Sequence, residues 1–160
     1  MFPMKALAAL LAGLALTAAA PAASTLQAPR LSGVDVITGK RISLDDYRGR
    51  PVVINVWASW CRGCRTEARD LADFARAHPR VPLLGIDSED SKRAARAFFR
   101  RYGFRHPSIF DPNGALAIRL GLAGLPTTLF LDRRHRIVAS VAGAGTLARF
   151  EAALRVALDH

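Results

Sequence analysis

The chain has 160 residues, which is enough for one domain with its own hydrophobic core, and its formal net charge is +10. The 23 Lys and Arg residues are spread over nearly every segment and form no nucleic-acid-binding motif, which argues against a nucleic-acid-binding protein. The charge agrees with a weak attraction to anionic lipid headgroups or to an acidic partner. Two cysteines three positions apart do not make the disulfide framework of a small secreted fold.

The N-terminal residues have the layout of a secretory signal peptide. Lys5 precedes an uncharged apolar run from Ala6 to Ala20, and small residues that resemble a cleavage site follow it. The run is short for a membrane span, which needs about 20 residues. We therefore expect residues 1–23 to be a signal peptide, with an uncleaved membrane anchor as the alternative, and residues 24–160 to form a single domain exported to the periplasm.

The first half of this domain is predicted to form a hairpin and then a strand–helix–strand unit. Alternating polarity around Thr38 and Gly39 is typical of a β-hairpin, and the two apolar runs that follow are typical of buried strands. The helix between these runs is expected to stop before Pro79, because the residue before a proline disfavours helical geometry. The predicted elements are a linker over 24–30, a hairpin over 31–44, strands over 51–58 and 81–87, and a helix over 61–78.

The second half is predicted to add three helices and three strands. Gly103 and Thr146 fit the C-cap of the first and the N-cap of the last of these helices. The order βαβ followed by ββα predicts an α/β fold in which helices cover both faces of a mixed sheet. The predicted elements are helices over 91–102, 114–120 and 146–158, and strands over 108–111, 127–131 and 137–141.

The strongest functional motif is Cys61-Arg62-Gly63-Cys64, which follows a buried strand and begins a helix. Residues three apart on a helix are neighbours, so the two sulfurs can form a disulfide. The helix N-terminus stabilises a thiolate, the reactive form of cysteine. We expect Cys61 to be the exposed nucleophile and Cys64 the resolving thiol, with Arg62 adding positive charge.

The residues around this motif have less specific roles. Trp57 is expected to pack in the core, and Trp60 to be a partly exposed lid over the cysteines. A half zinc site and an inert disulfide are the alternatives to redox chemistry. No metal site is predicted, because the histidines show no ligand spacing; they are His78, His106, His135 and His160.

Glu67 lies in the inward-facing row of the predicted helix, one turn after Cys64. A buried carboxyl there has a raised pKa and is suited to exchange a proton with the resolving thiol. The alternative is a solvated carboxylate that only favours the helix N-terminus. Asn55, a polar residue in a buried strand, requires a hydrogen-bond partner.

Two segments resemble the thioredoxin superfamily, and within it the exported TlpA/ResA/DsbE-like thiol–disulfide oxidoreductases. They are VVINVWASWCRGCRTE over 52–67 and GLPTTLFLD over 124–132. The resemblance implies a thioredoxin-like three-layer α/β/α fold with an N-terminal β-hairpin. It also implies that Cys61 and Cys64 are the redox pair, that Leu125 and Pro126 form a cis-proline loop opposite them, and that Glu67 matches the acid of the ResA-like branch.

The chain departs from related proteins at three positions. Asn55 stands where thioredoxin has a buried aspartate, so that proton acceptor is missing. Arg62-Gly63 lacks the proline that is common before the second cysteine. Thr127 follows the proline where DsbE-like proteins of cytochrome c maturation usually carry glutamate, which weakens an assignment to haem-protein maturation.

Three functions follow from these observations. The leading hypothesis is a reductase, without a cofactor, that acts on protein disulfides such as those at cytochrome c haem-attachment or copper sites. It implies a membrane-embedded electron donor and a monomeric enzyme. A disulfide-forming oxidase is the alternative within the same chemistry. A metallochaperone that holds Cu(I) between Cys61 and Cys64 ranks third, because no methionine or histidine is placed to assist.

Overall fold

The structure, a computed structural model, describes residues 26–160, so the predicted signal peptide lies outside the described residues. Within them the strands are β1 (Leu26–Gln27), β2 (Ser32–Val34), β3 (Arg41–Ser43), β4 (Val52–Trp57), β5 (Leu83–Ser88), β6 (Ser108–Asp111), β7 (Thr127–Leu131) and β8 (Arg136–Ala142). The helices are α1 (Arg62–Ala77), α2 (Lys92–Tyr102), α3 (Ala115–Arg119) and α4 (Leu147–Asp159), and a 3-10 helix covers Leu44–Tyr47.

Six strands form one mixed sheet in the order β1-β8-β7-β4-β5-β6, and β2 and β3 pair separately as the predicted hairpin. Strand β4 runs parallel to β5 and antiparallel to β7. The C-terminal end of β4 therefore meets the N-terminal end of β7, where Val56 pairs with Thr127. These strand ends bring together two segments that are far apart in the sequence.

Helices cover both faces of the sheet, which confirms the predicted three-layer architecture. Helices α1 and α4 pack on one face around Phe74, Phe130 and Phe150. On the same face, α2 contributes Phe98, which stacks on the indole of Trp57, and Phe99, which packs against it at a tilt. The other face is covered by α3 and by the 3-10 helix. Burial of these apolar side chains provides the main driving force for folding.

The N-terminal residues of the described chain cover both edges of the sheet. At one edge, β1 pairs with β8, with Leu26 opposite Ile137. The prediction of a linker over 24–30 is therefore wrong in part. The sequence did not indicate this strand, because two residues are too few to form a periodic pattern. At the other edge, Asp35 after β2 bridges to Ile109 of β6, and its carboxylate accepts a hydrogen bond from Ser108 N at 3.0 Å.

The remaining elements lie within about two residues of their predicted bounds. Ser91 caps α2, Gly103 ends it in the left-handed conformation, and Thr146 caps α4. No helix within residues 26–160 is long and apolar enough to cross a membrane.

Candidate active site

The cysteine pair lies at the C-terminal end of β4, where the chain turns into α1. Cys61 is the N-cap of this helix and is disulfide-bonded to Cys64, with their Cα atoms 5.2 Å apart. The Sγ atom of Cys61 accepts a hydrogen bond from Cys64 N at 3.1 Å. A backbone N–H of the first helical turn thus points at the sulfur, as a thiolate at this position requires.

Both cysteines are buried in this oxidised state. Cys61 is 5% exposed and Cys64 is 2% exposed. The expectation that Cys61 is exposed is therefore wrong, although it is the more accessible of the two. The reason is that Cys61 packs in the same apolar cluster as Trp57 and the half-buried Leu125. Attack on a substrate therefore requires this cover over Cys61 to shift or the substrate to displace it.

The turn before Cys61 is held by the segment that follows β5. Asp90 Oδ2 accepts a hydrogen bond from Ser59 N at 2.6 Å, and Trp60 Nε1 donates to Glu89 O at 2.9 Å. The Trp60 side chain is 55% exposed and is tied to this segment. Trp60 is thus partly exposed, as predicted, and its role as a lid over the cysteines stays a prediction.

The loop before β7 lies against the cysteine motif, as the resemblance implied. The Leu125–Pro126 peptide bond is cis, and Pro126 is buried. The proline ring packs on the backbone of Gly63, where an added Cβ would lie 2.8 Å from Pro126 Cδ. Arg62, the other residue between the cysteines, is exposed. Glycine at position 63 is thus required for the close approach of the two segments.

Replacement of Gly63 by alanine is expected to destabilise the protein by about 1–3 kcal/mol, the usual cost of overpacking, and to slow thiol–disulfide exchange. The rigid proline ring cannot rotate away from the new methyl group, so the loop must shift. Gly124→Ala in the same loop is the control, since a Cβ there meets no atom within 4 Å. Thermal unfolding and exchange rates measure both effects, and equal results for the two variants would contradict the contact.

Glu67 is buried in the core one turn after Cys64 and is only 2% exposed. Its Oε1 accepts a hydrogen bond from Asn55 Nδ2 at 2.9 Å, and its Oε2 accepts one from Gly145 N at 2.7 Å. Burial raises the pKa of the Glu67 carboxyl to about 7, although these hydrogen bonds and the charge of Arg149 oppose the increase. The carboxyl can therefore gain or lose a proton near neutral pH.

Several residues that position this site were not identified from the sequence. Thr128 Oγ1 accepts a second hydrogen bond from Asn55 Nδ2 at 2.9 Å and so fixes the amide that faces Glu67. Gly145, Asp90 and the buried Asp87 were also missed. For Asp87, an acid at the end of an apolar strand was the available signal. Among residues 26–160, no group of three or more His, Cys, Asp or Glu side chains is placed to hold a metal ion.

The chain is similar to known proteins over most of its domain. Residues 22–140 match the AhpC/TSA family. The thiol-disulfide oxidoreductase ResA of Bacillus thuringiensis is 25% identical over 131 residues, which are 81% of this chain and 75% of that protein. The thiol:disulfide interchange protein DsbE of Allochromatium vinosum is 34% identical over 105 residues, which are 62% of this chain and 58% of that protein.

A solved structure extends the similarity to the fold. A secreted thiol-disulfide isomerase of Corynebacterium glutamicum has a TM-score of 0.74 and 33% sequence identity, covering 86% of each chain. The thioredoxin-like fold and the resemblance to ResA- and DsbE-like proteins are thereby confirmed. The disulfide between Cys61 and Cys64 agrees with the same chemistry. The chain belongs to the AhpC/TSA family and is a thiol–disulfide oxidoreductase of the ResA/DsbE type.

Proposed function

We propose that this oxidoreductase works as a reductase of protein disulfides outside the cytoplasm. The observation that carries the proposal is the buried Glu67 carboxyl one helical turn from Cys64. An ionised carboxylate repels a nearby thiolate and so disfavours the charged form of the reduced pair. The strong oxidant DsbA shows the opposite arrangement, in which the reduced form is stabilised. A carboxyl at this position favours the disulfide form of the enzyme and therefore a low reduction potential.

The reaction consists of two thiol–disulfide exchanges. The Cys61 thiolate attacks one sulfur of the substrate disulfide, forms a mixed disulfide and releases the other sulfur as a thiolate, which takes up a proton. The Cys64 thiol then transfers its proton to Glu67 and attacks Cys61 Sγ. This step releases the second substrate thiolate and forms the Cys61–Cys64 disulfide. Two electrons pass from the enzyme to the substrate.

Neighbouring groups support these roles in the proposed reaction. The hydrogen bond from Cys64 N to Cys61 Sγ stabilises a negative charge on that sulfur. Pro126 and Leu125, packed beside the motif, form the surface on which the substrate chain lies. Arg62 is exposed, so solvent and salt screen its effect on the thiolate.

The reduction potential of the Cys61–Cys64 pair tests the direction of the reaction. We expect a value nearer to the about −270 mV of thioredoxin than to the about −120 mV of DsbA. Equilibration of the protein with glutathione buffers of known ratio, followed by counting of free thiols, measures it. A value close to that of DsbA would contradict the reductase and favour the disulfide-forming oxidase.

The cellular setting is part of the same proposal. The signal-peptide-like residues 1–23 support a periplasmic location, cleaved or tethered, and the similar protein of Corynebacterium glutamicum is described as secreted. An enzyme that reduces substrates there needs a source of electrons, and a membrane-embedded donor would re-reduce the Cys61–Cys64 disulfide. Its substrates are protein disulfides such as those at haem-attachment or copper sites, and it acts as a monomer.

A further inference from the structure

The end of β5 holds a buried carboxyl group that the reaction above does not use. Asp87 is fully buried, and neither of its carboxyl oxygens has a hydrogen-bond donor. It lies on the same face of the sheet as Trp57, its partner on β4. An isolated, buried carboxylate without donors is costly in free energy, so the group needs a proton or a partner.

Asp87 interacts with another carboxyl group, that of Asp90, by charge and through a shared hydrogen bond. Asp90 Oδ1 accepts a hydrogen bond from Ser91 N at 2.7 Å, and Oδ2 accepts one from Ser59 N at 2.6 Å. Two N–H donors stabilise the ionised form of Asp90, whereas Asp87 has none. A proton shared by the two carboxyls therefore resides on Asp87, whose O–H can donate to Asp90.

We propose that Asp87 is a positioning residue of the redox site: its proton bridges to Asp90, and the carboxyl pair holds the Ser59–Trp60 turn that leads into Cys61. The contacts form a continuous chain from the buried acid to the cysteine. Asp87 orients Asp90, Asp90 binds Ser59 N, and Cys61 follows two residues later, with its own N–H bound to Ala58 O at 3.2 Å. The inference holds for either direction of the redox reaction.

The charges around the pair set its response to pH. Burial, and then the charges of Asp90 and Asp111, raise the pKa of Asp87 to about 8. Lys92, in the first turn of α2, lies over the Phe110 ring, 5.1 Å from its centroid, and the Glu89 side chain is exposed beside Gly114. Above about pH 8 the pair would carry two negative charges, and their repulsion would weaken the hydrogen bond between Ser59 and Asp90.

Stability has a matching dependence on pH. An aspartate in an unfolded chain has a pKa of about 3.9, well below that of folded Asp87. The folded state therefore binds more protons between about pH 4 and pH 8, and the free energy of unfolding falls as the pH rises through this window. Replacement of Asp87 by asparagine removes this dependence, because the amide donates to Asp90 without titrating.

The test uses Asp87→Asn, Asp87→Val and the control Asp73→Asn, an exposed carboxylate on α1. NMR follows the Ser59 amide signal from about pH 6 to about pH 9, and a small disulfide substrate gives the exchange rate. In the parent protein and in Asp73→Asn, the Ser59 signal should titrate near pH 8 and the rate should change with it. In Asp87→Asn this titration should vanish while the rate at neutral pH is kept. In Asp87→Val the rate should fall about 10-fold to 10²-fold at every pH, since small displacements of a reacting group have effects of this size.

Two results would overturn the proposal. One is a Ser59 titration in Asp87→Asn identical to that of the parent protein, and the other is no titration of Ser59 in the parent protein. If Asp87→Val fails to fold, the comparison of Asp87→Asn with the parent protein decides alone. Glu67→Gln should keep the Ser59 titration, because Glu67 binds Asn55 and Gly145 rather than this turn. A failure of the role proposed for Glu67 is thus distinguishable from a failure of this inference.

Discussion

Replacement of Cys64 by serine is expected to trap a mixed disulfide between Cys61 and a substrate protein, and to stop turnover. Cys61 caps α1 at its N-terminal end and is the more exposed of the two cysteine residues, so we expect it to attack first. Without Cys64 no thiol remains to resolve the mixed disulfide. Non-reducing electrophoresis of extracts that contain the variant should show adducts that disappear on addition of a reductant.

The matched variant Cys61→Ser should form no adduct and should also be inactive. In this protein Cys64 is buried one turn inside the helix, and it lacks the end position at which a helix N–H points to the sulfur. Adducts formed by Cys61→Ser but not by Cys64→Ser would reverse the two roles. The reductase proposal would survive that result, because the direction of electron flow does not depend on which cysteine attacks.

Replacement of Glu67 by glutamine is expected to slow turnover about 10²-fold, the lower end of the range for a lost general base. The thiols can still exchange protons with water, which limits the loss. The new amide oxygen can still accept from Asn55 Nδ2, but the amide NH2 group would then face Gly145 N–H, a second donor. The variant should therefore be less stable but folded, and its side chain cannot titrate. We expect the pH–rate profile of the parent protein to change near pH 7, and that of the variant to lack this change. Superimposable pH–rate profiles would mean that Glu67 is only a buried structural acid.

Glu67→Gln should also change the pH dependence of stability. The pKa of Glu67 is about 7 in the folded protein, whereas a glutamate in an unfolded chain has a pKa of about 4.3. The folded state binds more protons between these values, so the free energy of unfolding falls as the pH rises through this window. The variant should lose this contribution. Asp73→Asn, which changes an exposed carboxylate on the same helix, should retain it.

The sequence predicted the elements and the redox pair because both depend on local patterns. The strand over 127–131 has the predicted bounds, and the inward row of α1 placed Glu67 in the core, since helical periodicity alone determines which face a residue occupies. The cysteine motif is equally local. The chemistry of the site could therefore be predicted from the sequence alone.

The support around the site was not predictable in the same way. Glu67 binds Gly145, which is 78 positions away, and Ser59 binds Asp90, 31 positions away. Such contacts depend on how the ends of the neighbouring strands β4, β5 and β7 are arranged in the folded sheet, and no local sequence pattern encodes them. The burial of Cys61 has the same origin, because its cover comes from other segments of the chain.

The cover of both sheet edges by residues 26–44 has a consequence for the order of folding. These residues are synthesised before their partners, since β1 pairs with β8, about 110 positions later, and Asp35 pairs with β6. Such distant pairings form slowly, because closing a long loop costs conformational entropy before the stabilising contacts form. Until they form, β6 and β8 have unpaired backbone groups that can pair with another chain. Aggregation during refolding would therefore begin at these two strands.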